Sequence, residues 1–364
     1  MSARSDSAGN RPVPRIAAIP GDGIGNEVLP AAARVLDAAL AAEGQAVQWT
    51  WLPWGCDYFA EHGRMMPEDG LDLLGEHDAI FLGAVGRPDV ADHVSLWGLL
   101  IPIRRAFDQY VNLRPVRQFE GVPPRVTLPE GACVDMLIVR ENTEGEYSEV
   151  GGRFGRGTVG EFAIQENIFT RTGITRIAEY AFASAAERRR LVTSATKSNG
   201  IIHSMPFWDE IVEEVAAGHP DIVTHKRLID ALAAEIVLKP AEFDVIVASN
   251  LFGDILSDLA AAVVGGLGLA PSGNVNPDGR FPSMFEPVHG SAPDIAGKGI
   301  ANPVAAVWSG AMMLEHLGLE KVSARLMCAI EESLKSPGTR TGDLGGHADM
   351  GAVVQALIES VSGA

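Results

Sequence analysis

Two carboxylates, Asp254 and Asp258, close the run Asn250-Leu-Phe-Gly-Asp-Ile-Leu-Ser-Asp258. On a helix, that spacing stacks them on one face about one turn apart. The preceding stretch, Phe243-Asp-Val-Ile-Val-Ala-Ser249, is short, apolar and β-branched, as a buried strand is. The acids therefore open a helix at the end of a buried strand, where open α/β sheets place their ligands. The helix dipole favours one carboxylate in the first turn, but a second one turn later repels it. A cation between them relieves that repulsion, and a hard divalent ion with oxygen ligands suits it best. The competing reading is a solvated acidic face. Against it, residues 259–270 are nearly free of charge, and a helix that apolar is mostly buried.

Other residues offer complementary chemistry. Arg104 falls in a helical stretch, Arg114 precedes Pro115, and Arg140 directly follows the apolar run 135–139. Arginine suits bidentate capture of carboxylates. Any one of them alone reads equally as a surface arginine; Arg140, at the end of a buried strand, is the exception. Beyond it, Glu141-Asn-Thr-Glu-Gly-Glu-Tyr147 is a polar loop ending in one of four tyrosines. Lys197, in Ser194-Ala-Thr-Lys-Ser-Asn199, stands at the end of another strand. A lysine near a metal and an arginine cluster has its charged form disfavoured and can act as a base. The run from Phe285 to Pro303, with His289, Ser291, Asp294 and Asn302, could wrap a nucleotide, Asp294 accepting from a ribose diol. With Pro287, Pro293 and Pro303 it serves equally as a structural strap.

The elements that must position these groups alternate along the chain. Residues 15–19, 78–82, 135–139 and 190–195 read as strands; 27–43 (with Gly44 as C-cap), 96–110, 180–187 and 206–217 read as helices. Strands interleaved with helices mean an α/β fold with a largely parallel sheet. The Gly-rich stretch 152–160, flanked by alternating residues up to 169, suggests a hairpin or arm suited to a protein contact. Pro20-Gly-Asp-Gly-Ile-Gly25 imitates a dinucleotide-binding turn, but Asn26 stands where the third glycine belongs. No acid ends the strand candidate 47–52, so a Rossmann site is not assigned there.

The 364 residues suffice for two domains or one large unit. With 46% apolar and 21% charged residues, the chain is globular. A net charge of −18 argues against nucleic acid or an anionic membrane as partner. The longest uncharged apolar stretch is too short to span a bilayer. Residues 1–14 read as a disordered tail without a secretory core. Cys56, Cys133 and Cys328 are scattered, which fits a reduced cytoplasmic protein without a disulfide frame.

Six motifs together resemble the metal-dependent β-decarboxylating dehydrogenases: the isopropylmalate, isocitrate, tartrate and D-malate enzymes. They are PGDGIG at 20–25, NLRP at 112–115, VRENTEGEY at 139–147, TKSN at 196–199, NLFGDILSDL at 250–259 and EPVHGSAPDIAGKGIANP at 286–303. The resemblance implies an isopropylmalate dehydrogenase-like α/β fold of two domains sharing a wide, largely parallel mixed sheet, with a small dimerisation arm. Residues 15–109 plus 265–364 would form the cofactor-side domain, and 110–264 the metal, substrate and dimerisation domain. It further implies Mg2+ or Mn2+ on Asp254, Asp258 and the partner subunit's Asp230, and substrate carboxylates on Arg104, Arg114 and Arg140. Lys197, also from the partner subunit, would be the base, and Tyr147 the acid that protonates the enol. His289, Gly290, Ser291, Ala292, Asp294 and Asn302 would bind the nucleotide. A homodimer with shared active sites follows, with K+ as a candidate activator. Asp294 would accept from a 2′-hydroxyl and repel a 2′-phosphate, which implies NAD.

Substrate choice in such enzymes resides just before Arg104, in Ser95-Leu-Trp-Gly-Leu-Leu-Ile-Pro-Ile103. The resemblance disfavours isocitrate, because Gly98 and Leu100 stand where isocitrate enzymes carry Ser and Asn. Trp97 replaces the glutamate of isopropylmalate enzymes and would fill room that a longer substituent needs. The expected substrate is a small dicarboxylic 2-hydroxy acid, D-malate first, with tartrate and 3-alkylmalates beside it. 3-Isopropylmalate oxidation is the alternative, and a catalytically silent regulatory subunit the remote one.

Overall fold

The computed structural model describes residues 12–363. Its main sheet has ten strands: β1 (Arg15–Gly21), β2 (Gln48–Trp51), β3 (Ala79–Ala84), β4 (Val111–Arg117), β5 (Asp135–Glu141), β8 (Leu191–Thr196), β9 (Val223–Leu228), β10 (Val245–Ala248), β11 (Pro271–Val275) and β12 (Ser283–Pro287). Their order is β2-β1-β3-β12-β11-β4-β5-β10-β8-β9. Six of the nine neighbouring pairs are parallel, and the antiparallel ones are contiguous: β12 with β11, β11 with β4, β4 with β5. The expected α/β fold with a wide, mostly parallel mixed sheet is thus present. At the β11–β4 seam, strands from both chain ends meet strands from the middle.

Helices close both faces. Gly25–Ala42, Val304–His316, Glu320–Lys335 and Met350–Ser362 pack together around Leu29, Leu36, Val307, Leu326 and Leu357. Across the β1–β3 end, Cys56–His62, Gly70–Gly75 and a helical rod over 92–106 enclose Trp54, Leu74, Leu99 and Phe107. The rod is α-helical over Asp92–Ser95, widens to a π turn over Leu96–Leu100, and is α-helical again over Ile101–Ala106. Pro102 supplies no N–H and its ring crowds the carbonyl four residues back, which accounts for the widened turn. The rod stops at Ala106, short of the expected 110, where Asp108 takes a left-handed φ of 42°.

Most expected elements stand within a few residues. The stretch 180–187 extends back to a helix Arg171–Ala186, started by Thr170 accepting from Gly173 N. The apolar run 259–270 is not one helix: it ends at Val264, where Gly265 (φ 153°) and Gly266 (φ 140°) adopt backbone that other residues rarely take. The expected hairpin is an antiparallel pair, β6 (Gly151–Phe154) with β7 (Phe162–Gln165), exposed along its length. Of the tail expected over 1–14, residues 1–11 lie outside those described, and the Pro14 carbonyl already accepts from Gln48 N.

Candidate active site

A cavity of about 190 Å³ opens where β3, β5 and β12 end, beside the middle of β4. Arg104, Arg114, Arg140, Tyr147, Asp254, Glu286 and His289 line it, with Leu96 and Leu100 as an apolar wall. Residues distant in sequence therefore converge: Arg104 from the rod, Arg114 from β4, Arg140 from β5, Tyr147 from the loop after it, and Asp254 from the helix Asn250–Val264.

The convergence depends on one close approach. Gly253 packs on Arg140, where an added Cβ would fall 2.6 Å from the Arg140 Cβ and Cγ. The absent side chain lets the helix lie on β5 and brings the Asp254 carboxylate onto the Arg140 Nη1. Arg140 also donates from Nη2 to Asn250 Oδ1 at 2.7 Å. Arg114 Nη1 stands 3.2 Å from Asp254 and 3.3 Å from Asp258, and donates to Ser257 Oγ at 2.7 Å. The cation wanted between the acids is thus supplied within this chain by an arginine. Tyr147 donates from its hydroxyl to Asp254 Oδ2 at 3.0 Å.

Burial and charge set the ionisation of these groups. Burial raises Asp254, but the charges of Arg140 and Arg114 outweigh it and hold Asp254 below the ordinary carboxylate value. Asp258 moves the other way: burial and the charge of Asp254 prevail over Arg114. Burial and Asp254 push the Tyr147 phenol up, so it is protonated at neutral pH. Burial lowers Arg140 to about 10, which leaves it charged at neutral pH. The site therefore holds fixed positive charge, an ionised acid and a hydroxyl proton side by side.

A seam of buried amides ties the two ends of the cavity together. Arg104 Nη2 donates to Glu286 Oε1 at 2.8 Å, and Asn274 Nδ2 donates to the same oxygen at 2.8 Å. Asn274 Oδ1 accepts from Asn112 and Asn142, each at 2.9 Å, and Asn112 Oδ1 accepts from Arg114 Nε at 2.8 Å. The sequence reading missed Glu286, Asn112 and Asn274. The first two lie inside quoted motifs, and their signal was polar residues in otherwise apolar strand stretches.

Of the nucleotide-loop residues, His289 and Gly290 reach the cavity. Ser291 is buried beside it, with its carbonyl accepting from Ile24 N at 2.8 Å. Ala292 has a left-handed φ of 40°, Asp294 is exposed, and buried Asn302 donates to Asp343. The turn that imitates a dinucleotide site instead supports this loop, since Glu27 accepts from the Gly297 and Gly299 N–H groups. His289 Nε2 is buried without a hydrogen-bond partner, and burial keeps the imidazole neutral by lowering its pKa. An orphaned buried nitrogen at the rim of the cavity fits a polar ligand.

Lys197 and Asp230, expected from the partner subunit, stand apart from the cavity, and Asp258 meets it only through Arg114. Lys197, just after β8, pairs with Asp230, in the first turn of Ile229–Leu238, at 2.6 Å. Among the described residues, no three His, Cys, Asp or Glu side chains gather to hold a metal. Asp254 and Asp258 are the hard oxygen donors a divalent ion takes, but they make two ligands and not three. Trp97 also departs from its expected place. Leu96 and Leu100 form the cavity wall, whereas Trp97 faces a neighbouring cavity with Tyr147, Ile201 and Phe252. On the rod, residues four apart share a face and the residue between turns away.

Known proteins are similar to this chain over nearly its whole length. The chain is 53% identical over 355 residues to D-malate dehydrogenase [decarboxylating] of Escherichia coli, covering 95% of this chain and 98% of that one. It is 52% identical over 357 residues to tartrate dehydrogenase/decarboxylase of Pseudomonas putida, covering 96% and 98%. Isocitrate dehydrogenase from Methylococcus capsulatus superposes with a TM-score of 0.87 at 36% identity, over 96% of this chain and all of that one. The isocitrate/isopropylmalate dehydrogenase family model matches residues 15–361. This chain belongs to the isocitrate/isopropylmalate dehydrogenase family.

Proposed function

We propose that this enzyme oxidatively decarboxylates D-malate to pyruvate and CO2, using NAD and Mg2+ or Mn2+, and accepts tartrate and 3-alkylmalates in the same cavity. The observation that carries the reading is the convergence of Arg104, Arg114 and Arg140 with Tyr147 and Asp254 around one small cavity. Three guanidiniums select a dianionic substrate. When bound, the divalent ion would polarise the C2 oxygen and NAD+ would accept the hydride. Asp254 and Asp258, with Asp230 of the partner subunit, would hold the ion; His289 to Ala292, Asp294 and Asn302 would hold the nucleotide. The arginines orient the carboxylates. Lys197 of the partner subunit takes the C2 hydroxyl proton, and Tyr147 gives its own to C3 of the enol once CO2 has left. The separation of the Lys197–Asp230 pair from the cavity supports a homodimer in which each copy completes the other's site. The division into 15–109 plus 265–364 and 110–264 would fall at the β11–β4 seam.

A second reading, 3-isopropylmalate oxidation, is favoured by Leu96 and Leu100, whose apolar wall would accept an alkyl substituent. NADH formation with Mn2+ and K+ decides between them, comparing D-malate, (+)-tartrate, 3-isopropylmalate and isocitrate, with NADP+ as control. The highest kcat/KM for D-malate supports the proposal; leadership by 3-isopropylmalate supports the second reading; no turnover of any refutes both.

A further inference from the structure

Arg104 and Arg105 are consecutive on the rod and turn in different directions. Arg104 reaches into the cavity to Glu286. Arg105 reaches outward to the loop that carries Tyr147: its Nη2 donates to the Tyr147 carbonyl at 2.8 Å, and its Nη1 donates to Glu149 Oε2 at 2.8 Å. The Arg105 guanidinium lies over the Trp97 ring, 5.0 Å from its centroid. Trp97 and Tyr147 line one shared cavity on the outer side of this contact. A planar fork held on an aromatic face loses little freedom on binding, so the hold on that carbonyl is directional.

Other ties of this loop run to residues 165–170, where Gly145 and Ile168 exchange backbone bonds and Gln165 Nε2 donates to the Ser148 carbonyl at 2.9 Å, and to the acid-bearing helix. Glu146 accepts from Ser249 Oγ and Leu251 N, and Asn250 Nδ2 donates to the Glu144 carbonyl at 3.1 Å. These fix the loop against Asp254. Arg105 fixes it against the rod, and the rod carries Arg104. The Arg105–Tyr147 carbonyl bond is therefore a direct tie between the rod that carries Arg104 and the loop that carries the Tyr147 hydroxyl.

We propose that Arg105, stacked on Trp97, is a positioning residue that sets where the Tyr147 hydroxyl stands relative to the substrate held by Arg104. The proposal rests on the function proposed above, in which the Tyr147 O–H bond breaks as the C3–H bond forms and the phenolate regains a proton from water. Arg105 does not line the cavity and acts through the tyrosine backbone.

A double-substitution cycle tests it. Arg105→Ala lowers kcat on D-malate on the order of tenfold, as expected of a slightly misplaced proton donor, while both KM values move by less than about twofold. In a Tyr147→Phe background, Arg105→Ala changes kcat by less than about twofold, because the group it positions is gone. An equal loss in both backgrounds, or none in the first, overturns the proposal. A second readout needs no substrate. Amide hydrogen exchange of residues 144–148 in the substrate-free protein quickens in Arg105→Ala as the loop loosens from the rod. Unchanged exchange overturns the positioning role even if the substrate reading fails. Conversely, absence of hydroxy-acid turnover by the unsubstituted enzyme overturns that reading while the exchange still decides Arg105.

Discussion

Arg140 shows how one side chain can be structural and functional at once. It is almost fully buried, spans Asn250 and Asp254, and stacks over the Tyr147 ring at 5.7 Å. Removing it takes one of its two guanidinium partners from a partly buried carboxylate and leaves the buried Asn250 Oδ1 unpaired. Arg140→Ala should therefore cost about 3 kcal/mol or more of stability besides abolishing turnover, measurable by denaturant unfolding. Tyr147→Phe keeps the ring and loses only the hydroxyl, so the melting temperature should stay within a few degrees of the parent. Its kcat should nevertheless fall roughly 10²-fold or more, as for loss of a general acid. Glu141 behaves differently again. Burial pushes it up to about 7, although the Thr143 and Glu144 N–H groups favour its charged form. A carboxyl raised above its unfolded value of 4.5 binds more protons folded than unfolded between those two pH values. Stability from this group is therefore present below about pH 4.5 and lost as pH rises towards 7. Melts of Glu141→Gln against the parent should show the parent losing ground across that window; a constant difference contradicts it.

At the scale of elements, the site depends on how closely the helix Asn250–Val264 lies on β5. Gly253→Ala forces a methyl against Arg140, and overpacking of this kind costs about 1–3 kcal/mol. Because the shift lifts Asp254 from Arg140 and Tyr147, KM for the divalent ion should rise together with the loss of stability; a stable variant with unchanged metal dependence refutes this packing account. The same helix shows what the sequence made legible. Its start followed from an apolar β-branched strand and a pair of acids, since β10 is buried on both faces and reads without ambiguity. β4, β9, β11 and β12 were not read as strands. β9 is a half-exposed edge, Val-Thr-His-Lys-Arg-Leu, with no apolar run. β11 opens on Pro271 and buries Ser272 and Asn274, because its polar side chains pair across the seam and not with water. Local periodicity cannot report partners from remote strands. The direction of Trp97 was misjudged for a similar reason: motif position places a residue on the rod, but the turn geometry decides which side it faces.

For the whole molecule, one chain does not assemble every expected group. Asp254 lines the cavity, Asp258 pairs with Arg114 of its wall, and Lys197 with Asp230 stands elsewhere, so catalysis as proposed requires a second copy. Lys197→Ala and Tyr147→Phe, each with little activity alone, should regain about a quarter of the parental activity when mixed after reversible dissociation, as random exchange of two-fold dimers predicts. Sites built within one chain would show no recovery. Among the described residues, no helix is long and apolar enough to cross a membrane. The enzyme is a decarboxylating dehydrogenase of its family, and the central claim is that its arginine-lined cavity couples oxidation of D-malate to loss of CO2. The most direct test measures NADH and CO2 together from D-malate, with Mn2+ and NAD+ present. The account predicts one CO2 per NADH, with both abolished by chelation and restored by Mn2+. NADH without CO2, or turnover indifferent to the divalent ion, would contradict it.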